Sequence, residues 1–344
     1  MRPLKFKPVA IGTIWGSEDW ILSAMEGRQT VCLSEGEDCG LTLSELVAKY
    51  KDRLVGERVW KRFGERFPML VKYINSSRQL SVQVHPGDQM AKEKGLPNGK
   101  TEMWYVFNAE ENSELLLGFS KKFSREVFAA IVRNSIKETD VRKGEKTLED
   151  VLNRFTPKRG DWYFIPAGTV HSIGAGTRIL EIQQPSDTTY RLYDFNRVDI
   201  EGNRRHLDVE DAMQAIDFDE SQEDYVERQR NVFDGAGSLK SEDETLVVPL
   251  ASCEHFTSSF IGFGKSRGEV EKFFRIDNSR FGSFTVLVCT GGRGVLYFSQ
   301  IPQTCVKDKV TVSDGDLYLI PAELGAVEIR SLGGLQIVEA HIEH

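Results

Sequence analysis

Cysteine, histidine and long apolar runs are all scarce in this 344-residue chain, and each scarcity excludes something. The five cysteines, Cys32, Cys39, Cys253, Cys289 and Cys305, are odd in number and widely spaced, which argues against a disulfide scaffold. None stands in a Cys-x-x-Cys pair, so a thiolate zinc site is disfavoured and a reducing, cytoplasmic setting is expected. No apolar run approaches the length of a membrane span, and Met1–Lys7 lacks the apolar stretch of a secretory signal. No membrane partner is therefore expected. Basic charge is also short: 44 Lys and Arg stand against 52 Asp and Glu, for a formal charge of −8. That balance gives no footprint for nucleic acid, and an anionic ligand would have to rely on a few locally placed cations.

What is present is ample material for a packed core, with 40% hydrophobic and 28% charged residues, and a length that suggests two domains. Short segments rich in β-branched and aromatic residues recur, such as Leu80–His85, Met103–Phe107 and Phe284–Val288, each bounded by turn formers. Helical patterns are fewer. They cover Leu41–Tyr50 (with Thr42 and Glu45 as a capping box), Ser124–Val132, Thr147–Phe155 and Asp208–Ile216. The chain therefore reads as mainly β, with barrels or sandwiches carrying a few helical insertions.

An internal repeat organises it. Gly160-Asp161-Trp162-Tyr163-Phe164-Ile165-Pro166-Ala167 returns as Gly315-Asp316-Leu317-Tyr318-Leu319-Ile320-Pro321-Ala322. A matching strand–turn–strand precedes each copy, at Trp104–Phe119 and Val286–Phe298. The acidic stretch from Asp217 to Glu244 reads as a connection, which divides the chain into 1–240 and 241–344.

The chemistry-bearing residues sit in the first copy. Gln83 and His85 are two apart on a predicted strand and so share a face. Glu102 opens the next strand, and His171 follows the turn after Pro166. One amide oxygen, two imidazoles and one carboxylate would make a mixed nitrogen and oxygen site suited to Zn²⁺, with Fe²⁺ or Mn²⁺ also compatible. A lone histidine is usually structural. The combination weighs more, because the second copy lacks it: Ala326 stands at the place of His171, and Phe284 or Thr285 at that of Glu102. Trp15, Trp104 and Trp162 read as core aromatics, the first two also as walls for a ligand pocket.

These pieces carry a resemblance. Gly160–Gly174 matches the second motif of the cupins. Phe67–Lys72, Leu80–Pro86, Lys100–Tyr105 and Tyr190-Arg191-Leu192-Tyr193-Asp194, in that order, resemble type I phosphomannose isomerases in their compact bacterial form. The resemblance implies two cupin (jelly-roll β-barrel) domains, a catalytic one over 1–240 and a degenerate one over 241–344 without metal ligands. It implies a zinc-dependent isomerase, one ion per chain, interconverting mannose 6-phosphate and fructose 6-phosphate. The metal role falls on Gln83, His85, Glu102 and His171, and a catalytic role on Arg191. Lys100, Ser81 and Asp194 are the expected substrate contacts, Lys100 and Ser81 at the phosphate. Many members have His-Lys-Pro-Glu where this chain has Gly99-Lys100-Thr101-Glu102, so no role passes to position 99.

Aldose–ketose isomerisation moves a proton between C1 and C2 through an enediolate, whose charge a metal and a fixed guanidinium can stabilise. The base is not legible; a metal-bound hydroxide, Lys100 and Asp194 are the candidates. Two rival readings remain: a sugar-phosphate sensor without turnover, and another metal-dependent cupin enzyme such as an iron oxygenase. The expected partner is a small sugar phosphate, and the chain is expected to be a monomer or homodimer.

Overall fold

The computed structural model describes residues 1–137, 146–198, 201–219, 245–264, 273–299 and 308–343. The predicted boundary near residue 240, most of the acidic connection and Cys305 lie outside the described residues. The described chain is mainly β, and its helices are short. Two compact units emerge: residues 10–18 with 73–230, and residues 1–9 and 19–72 with the described part of 231–344.

Two sheets face each other, and residues of the first unit supply most of both. One runs in the order Trp162–Ile165, Glu102–Ala109, Thr177–Gln183, Leu70–Ser76, Gly16–Leu22, Val9–Thr13. The other runs Tyr190–Tyr193, Val82–Val84, His171–Ile173, Leu115–Phe119, Leu152–Phe155. Between them lies a core of Trp15, Ile74, Trp104, Val106, Leu115, Leu117, Tyr163, Ile165 and Ile173, among others. Trp15 and Trp104 are core residues, as read from the sequence. Trp162 is not: strand alternation turns Tyr163 and Ile165 inward and leaves Trp162 half-buried on the other face.

The second sheet has a different coat. Val82, Val84, Leu116, Tyr190 and Leu192 pack against Phe128, Ile131 and Val132 of the helix Arg125–Ile136 and against Ala212 of the helix Val209–Ala215. Ser124 caps the longer helix by accepting a hydrogen bond from Val127 N. Because side chains alternate along a strand, this apolar packing forces the intervening Gln83 and Arg191 onto the opposite, inner face. The sequence pattern at Thr147–Phe155 is realised as a single 3₁₀ turn, Leu148–Asp150, and then a strand, Leu152–Phe155. Pairing with Leu115–Phe119 overrides the local helical preference there.

In the second unit the strands Thr245–Ser252, Thr257–Phe263, Ala326–His341, Thr285–Phe298 and Asp308–Ser313 form a sheet in that order, with Phe273–Asp277 and Leu317–Ile320 attached to its long strands. Its core includes Phe263, Leu287, Cys289, Leu296, Ile320, Ile329 and Ile337. The helix Leu43–Tyr50 belongs to this unit, and Thr42 and Glu45 close the capping box.

The repeat holds down to single hydrogen bonds. Gly160 and Gly315 adopt positive φ, 89° and 84°. Gly160 N donates to Val106 O and Val106 N to Asp161 O; Gly315 N donates to Cys289 O and Cys289 N to Asp316 O. Asp161 and Asp316 each accept from the residue three before, Lys158 N and Ser313 N. Ile165 pairs with Glu102 and Ile320 pairs with Thr285, so Thr285 is the counterpart of Glu102. Among the described residues Cys32, Cys39, Cys253 and Cys289 are free thiols, and no helix is long and apolar enough to cross a membrane.

Candidate metal centre

Gln83, His85 and His171 come from one sheet of the first unit and Glu102 from the other. His171 is directly opposite Gln83, and Arg191 is paired with Gln83 from the other side. His85 follows the end of the same strand as Gln83. The ligand atoms of His85, Glu102 and His171 all lie within 4.8 Å of one another. His85 Nε2 is 3.6 Å from Glu102 Oε2, and His171 Nε2 is 3.5 Å from Glu102 Oε1. Gln83 Nε2 is 3.3 Å from His171 Nε2, so the amide is within the same cluster.

Backbone carbonyls set the tautomers. His85 Nδ1 donates to Thr188 O at 2.9 Å, and His171 Nδ1 donates to Thr169 O at 2.9 Å. Each ring therefore offers its Nε2 lone pair inward, the arrangement that orients imidazole ligands at metal sites. Burial lowers the His171 pKa to about 4, with the Thr169 carbonyl acting in the opposite direction and Lys100 in the same one. The ring is thus neutral at neutral pH, as a ligand must be. Amide oxygen and nitrogen have the same outline. Turning the Gln83 amide over puts Oε1 beside His171 Nε2 and Nε2 beside the Ser81 hydroxyl, which now donates to Oε1 at 3.0 Å. With the amide so turned, its oxygen joins the two buried imidazole nitrogens and the buried carboxylate in a donor set that fits a divalent ion such as Zn²⁺.

Lys100 stands with these donors. Its Nζ is 2.7 Å from Glu102 Oε2, 3.1 Å from His85 Nε2 and 3.5 Å from Glu181 Oε1. Glu181 was not read from the sequence. It is paired across strands with Trp104, whose Nε1 donates to its Oε2 at 3.0 Å. The signal was available: a glutamate between Leu180 and Ile182, in a strand with apolar residues on both faces, is a buried carboxylate. Trp104 also meets the edge of the His171 ring, with centroids 5.4 Å apart.

Gly99 has a packing role. A Cβ there would lie 2.7 Å from Asp88 N and Gly87 C and 2.8 Å from Pro86 O, and Gly99 N donates to Asp88 Oδ1 at 2.7 Å. The segment after His85 fills the space that a side chain at 99 would need, so the backbone as it stands leaves no room for a histidine before Lys100. Gly99→Ala is expected to cost about 1–3 kcal/mol by overpacking and to weaken zinc binding, since it pushes apart the segments bearing His85 and Glu102. Melting temperature and zinc affinity of the variant report this; wild-type values for both would show that the close approach is dispensable.

A second group lies along the same sheet. Arg191 Nε donates to Ser81 Oγ at 3.3 Å and Arg191 Nη1 to His206 O at 3.1 Å; its nearest carboxylate oxygen is Asp208 Oδ2, at 3.9 Å. Burial lowers the Arg191 pKa and the neighbouring Arg205 lowers it further, but a guanidinium keeps its proton. Asp194 is buried and pairs with Arg197 and Arg205. Burial pushes its pKa up, and the hydrogen bonds from Arg205 and Arg197 outweigh that and hold it below the usual carboxylate range. Arg197 and Arg205 are further residues that sequence reading missed.

A family model for "Phosphomannose isomerase type I, catalytic domain" matches residues 17–120. The chain is 33% identical over 274 residues to the mannose-6-phosphate isomerase ManA of Bacillus subtilis (strain 168), which covers 74% of this chain and 78% of that protein. Among solved structures, the crystal structure of the mannose 6-phosphate isomerase from Bacillus subtilis is similar with a TM-score of 0.75 at 23% identity, over 99% of this chain and 100% of that one. A mannose 6-phosphate isomerase crystallised with zinc and yttrium is similar in fold with a TM-score of 0.70 at 14% identity, over 100% of both chains.

Proposed function

Because this chain belongs to the type I phosphomannose isomerase family, we propose that it interconverts mannose 6-phosphate and fructose 6-phosphate through an enediolate. Gln83, His85, Glu102 and His171 would hold one Zn²⁺. When bound, that ion supplies Lewis acidity toward the carbonyl and hydroxyl oxygens of the sugar. The observation that carries the reading is the convergence of those donors beside a guanidinium whose strand position is tied to theirs: Arg191 is paired with Gln83.

The work of the chain's own residues follows from their places. Arg191 faces the reacting carbons from beside Gln83 and stabilises negative charge that develops on oxygen. Its orientation is set in advance by Ser81 and the His206 carbonyl, so little reorganisation is needed during reaction. Lys100 sits among the ion donors, so the contact assigned to it is with the sugar oxygens there, and its ammonium is held in place by Glu102 and Glu181. Ser81 bridges Gln83 and Arg191 and contacts substrate between them. Asp194 serves the substrate end through the arginines it holds. His85, Glu102, Trp104, His171 and Glu181 are each no more than 1% exposed, and that burial strengthens electrostatic interactions within the site.

A coupled assay for fructose 6-phosphate formed from mannose 6-phosphate tests this. Turnover is expected, loss of turnover on chelation, and recovery on adding zinc. Ligand binding without product, or turnover indifferent to chelation, would contradict the proposal.

A further inference from the structure

One amide beside the candidate metal centre is fixed at its nitrogen end and unused at its oxygen end. Gln183 is the last residue of the strand Thr177–Gln183 and is fully buried. It is paired across strands with Glu102, the first residue of its own strand. Ile179 points into the core between the sheets, so alternation turns Glu181 and Gln183 to the same inner face. Same-face neighbours on paired strands stand about 4.5–5.5 Å apart at Cβ, which sets the Gln183 side chain beside that of Glu102. Both hydrogens of the amide are committed: Nε2 donates to Gln184 O and to Ser186 O, each at 2.7 Å. Turning this amide over, as can be done for Gln83, would set Oε1 against two carbonyl oxygens, so its orientation is fixed. The turn it grips also holds the donors in place. Gln184 N donates to Thr101 O and Gln184 Oε1 accepts from Thr101 N, next to Glu102, while Thr188 O accepts from His85 Nδ1. Gln183 Oε1 itself is buried and receives no hydrogen bond from any described residue. A buried acceptor left unsatisfied is costly, and folded chains seldom keep one without a purpose.

We propose that Gln183 is a specificity-determining residue of the isomerase site, its amide oxygen set to accept a hydrogen bond from a sugar hydroxyl that lies beside Glu102, close to the reacting carbons. This deepens the isomerase reading and rests on it. An amide oxygen can only accept, so it selects an O–H group and disfavours a ligand that carries a bare hydrogen or a carbonyl at that place. Sites that bury a polar group for one hydroxyl discriminate strongly against the analogue lacking it, because the group is then left unpaired. Lys100 does not serve this oxygen, since its ammonium engages Glu102, His85 and Glu181. The second copy of the repeat keeps the neighbouring carboxylate but not the amide. There Glu339, paired with Leu287, stands at the place of Glu181, and His341, paired with Thr285, stands at that of Gln183. His341 Nδ1 is 2.6 Å from Glu339 Oε1, so this strand end is built without an amide where Glu102 has no counterpart. The fold therefore does not require glutamine at this position.

The test uses the zinc-loaded full chain and the variants Gln183→Met and Gln183→His. Each is titrated by calorimetry, at saturating zinc, with mannitol 6-phosphate, a polyol phosphate that cannot isomerise, and with its 1-deoxy, 2-deoxy and 3-deoxy forms. In the wild type, removal of one of these hydroxyls should weaken binding by about tenfold through loss of the pair. In the variants mannitol 6-phosphate itself should bind about tenfold more weakly, and removal of that same hydroxyl should then change Kd by less than about twofold, since the pair is already gone. Equal weakening of all four polyols, with each hydroxyl still counting as in the wild type, would overturn the proposal by leaving Oε1 to water or to folding alone. Loss of zinc from the variants at saturating metal would overturn it by making the oxygen an ion ligand. A wild type indifferent to all three hydroxyls would overturn it without any variant. If Gln183→Met does not fold, Gln183→His decides, because the second copy carries histidine at the matching place. The coupling found in a chain that forms no fructose 6-phosphate would remove the isomerase reading and leave the acceptor standing; turnover without the coupling would do the reverse.

Discussion

Replacing His171 by alanine is expected to strip the chain of its ion and of measurable turnover. His171 is central to the cluster: its Nε2 is 3.5 Å from Glu102 Oε1 and 3.3 Å from the Gln83 amide, and its ring centroid is 4.8 Å from that of His85. Its ring is neutral and its Nδ1 donates to Thr169 O, which turns Nε2 toward Glu102, so under the proposed function the substitution removes an ion donor whose orientation is set by folding. Partners that merely orient ligands are worth roughly 10–100-fold in affinity or activity; loss of a ligand itself should exceed that. Metal analysis and kcat on the same sample report the outcome together. A zinc-free His171→Ala chain with undiminished turnover would show that the cluster has another purpose.

Arg191→Ala should behave differently, keeping its zinc and losing roughly 10²–10³ in kcat. Among the described contacts, the Arg191 side chain meets Ser81, His206 and Asp208, not the ion donors. Arg191→Lys keeps a positive charge but loses the fork that spans the Ser81 hydroxyl and the His206 carbonyl, so most of the loss should remain. Zinc content together with kcat and KM distinguishes this from damage to the ion site. Unaltered kcat and KM in Arg191→Ala would remove the arginine from the chemistry.

The parts of this account that were legible in sequence are those written locally. Alternation within Leu80–His85 puts Gln83 and His85 on one face, and the repeated Gly-Asp turn marks the duplicated unit. The contrast between Glu102 and Thr285 separates the copy with donors from the copy without. The parts that stayed hidden depend on pairings between distant segments. Glu181 matters because its strand lies beside that of Trp104, and Arg205 because it reaches across to Asp194. The carbonyls of Thr169 and Thr188 fix both imidazoles, yet backbone groups leave no trace in composition. The misread segment after Thr147 has the same cause, since Leu152–Phe155 becomes a strand by finding an edge to pair with. Gly99 is the reverse case: its contact with Pro86–Asp88 is a steric fact invisible in sequence, yet it explains a departure that the sequence shows plainly.

X-ray absorption at the zinc edge of the purified, zinc-loaded chain tests the central claim most directly. One zinc per chain, with nitrogen and oxygen neighbours only and the scattering of two imidazoles, is the predicted result. A sulfur shell, a coordination sphere without histidine, or a chain that retains no zinc would contradict it.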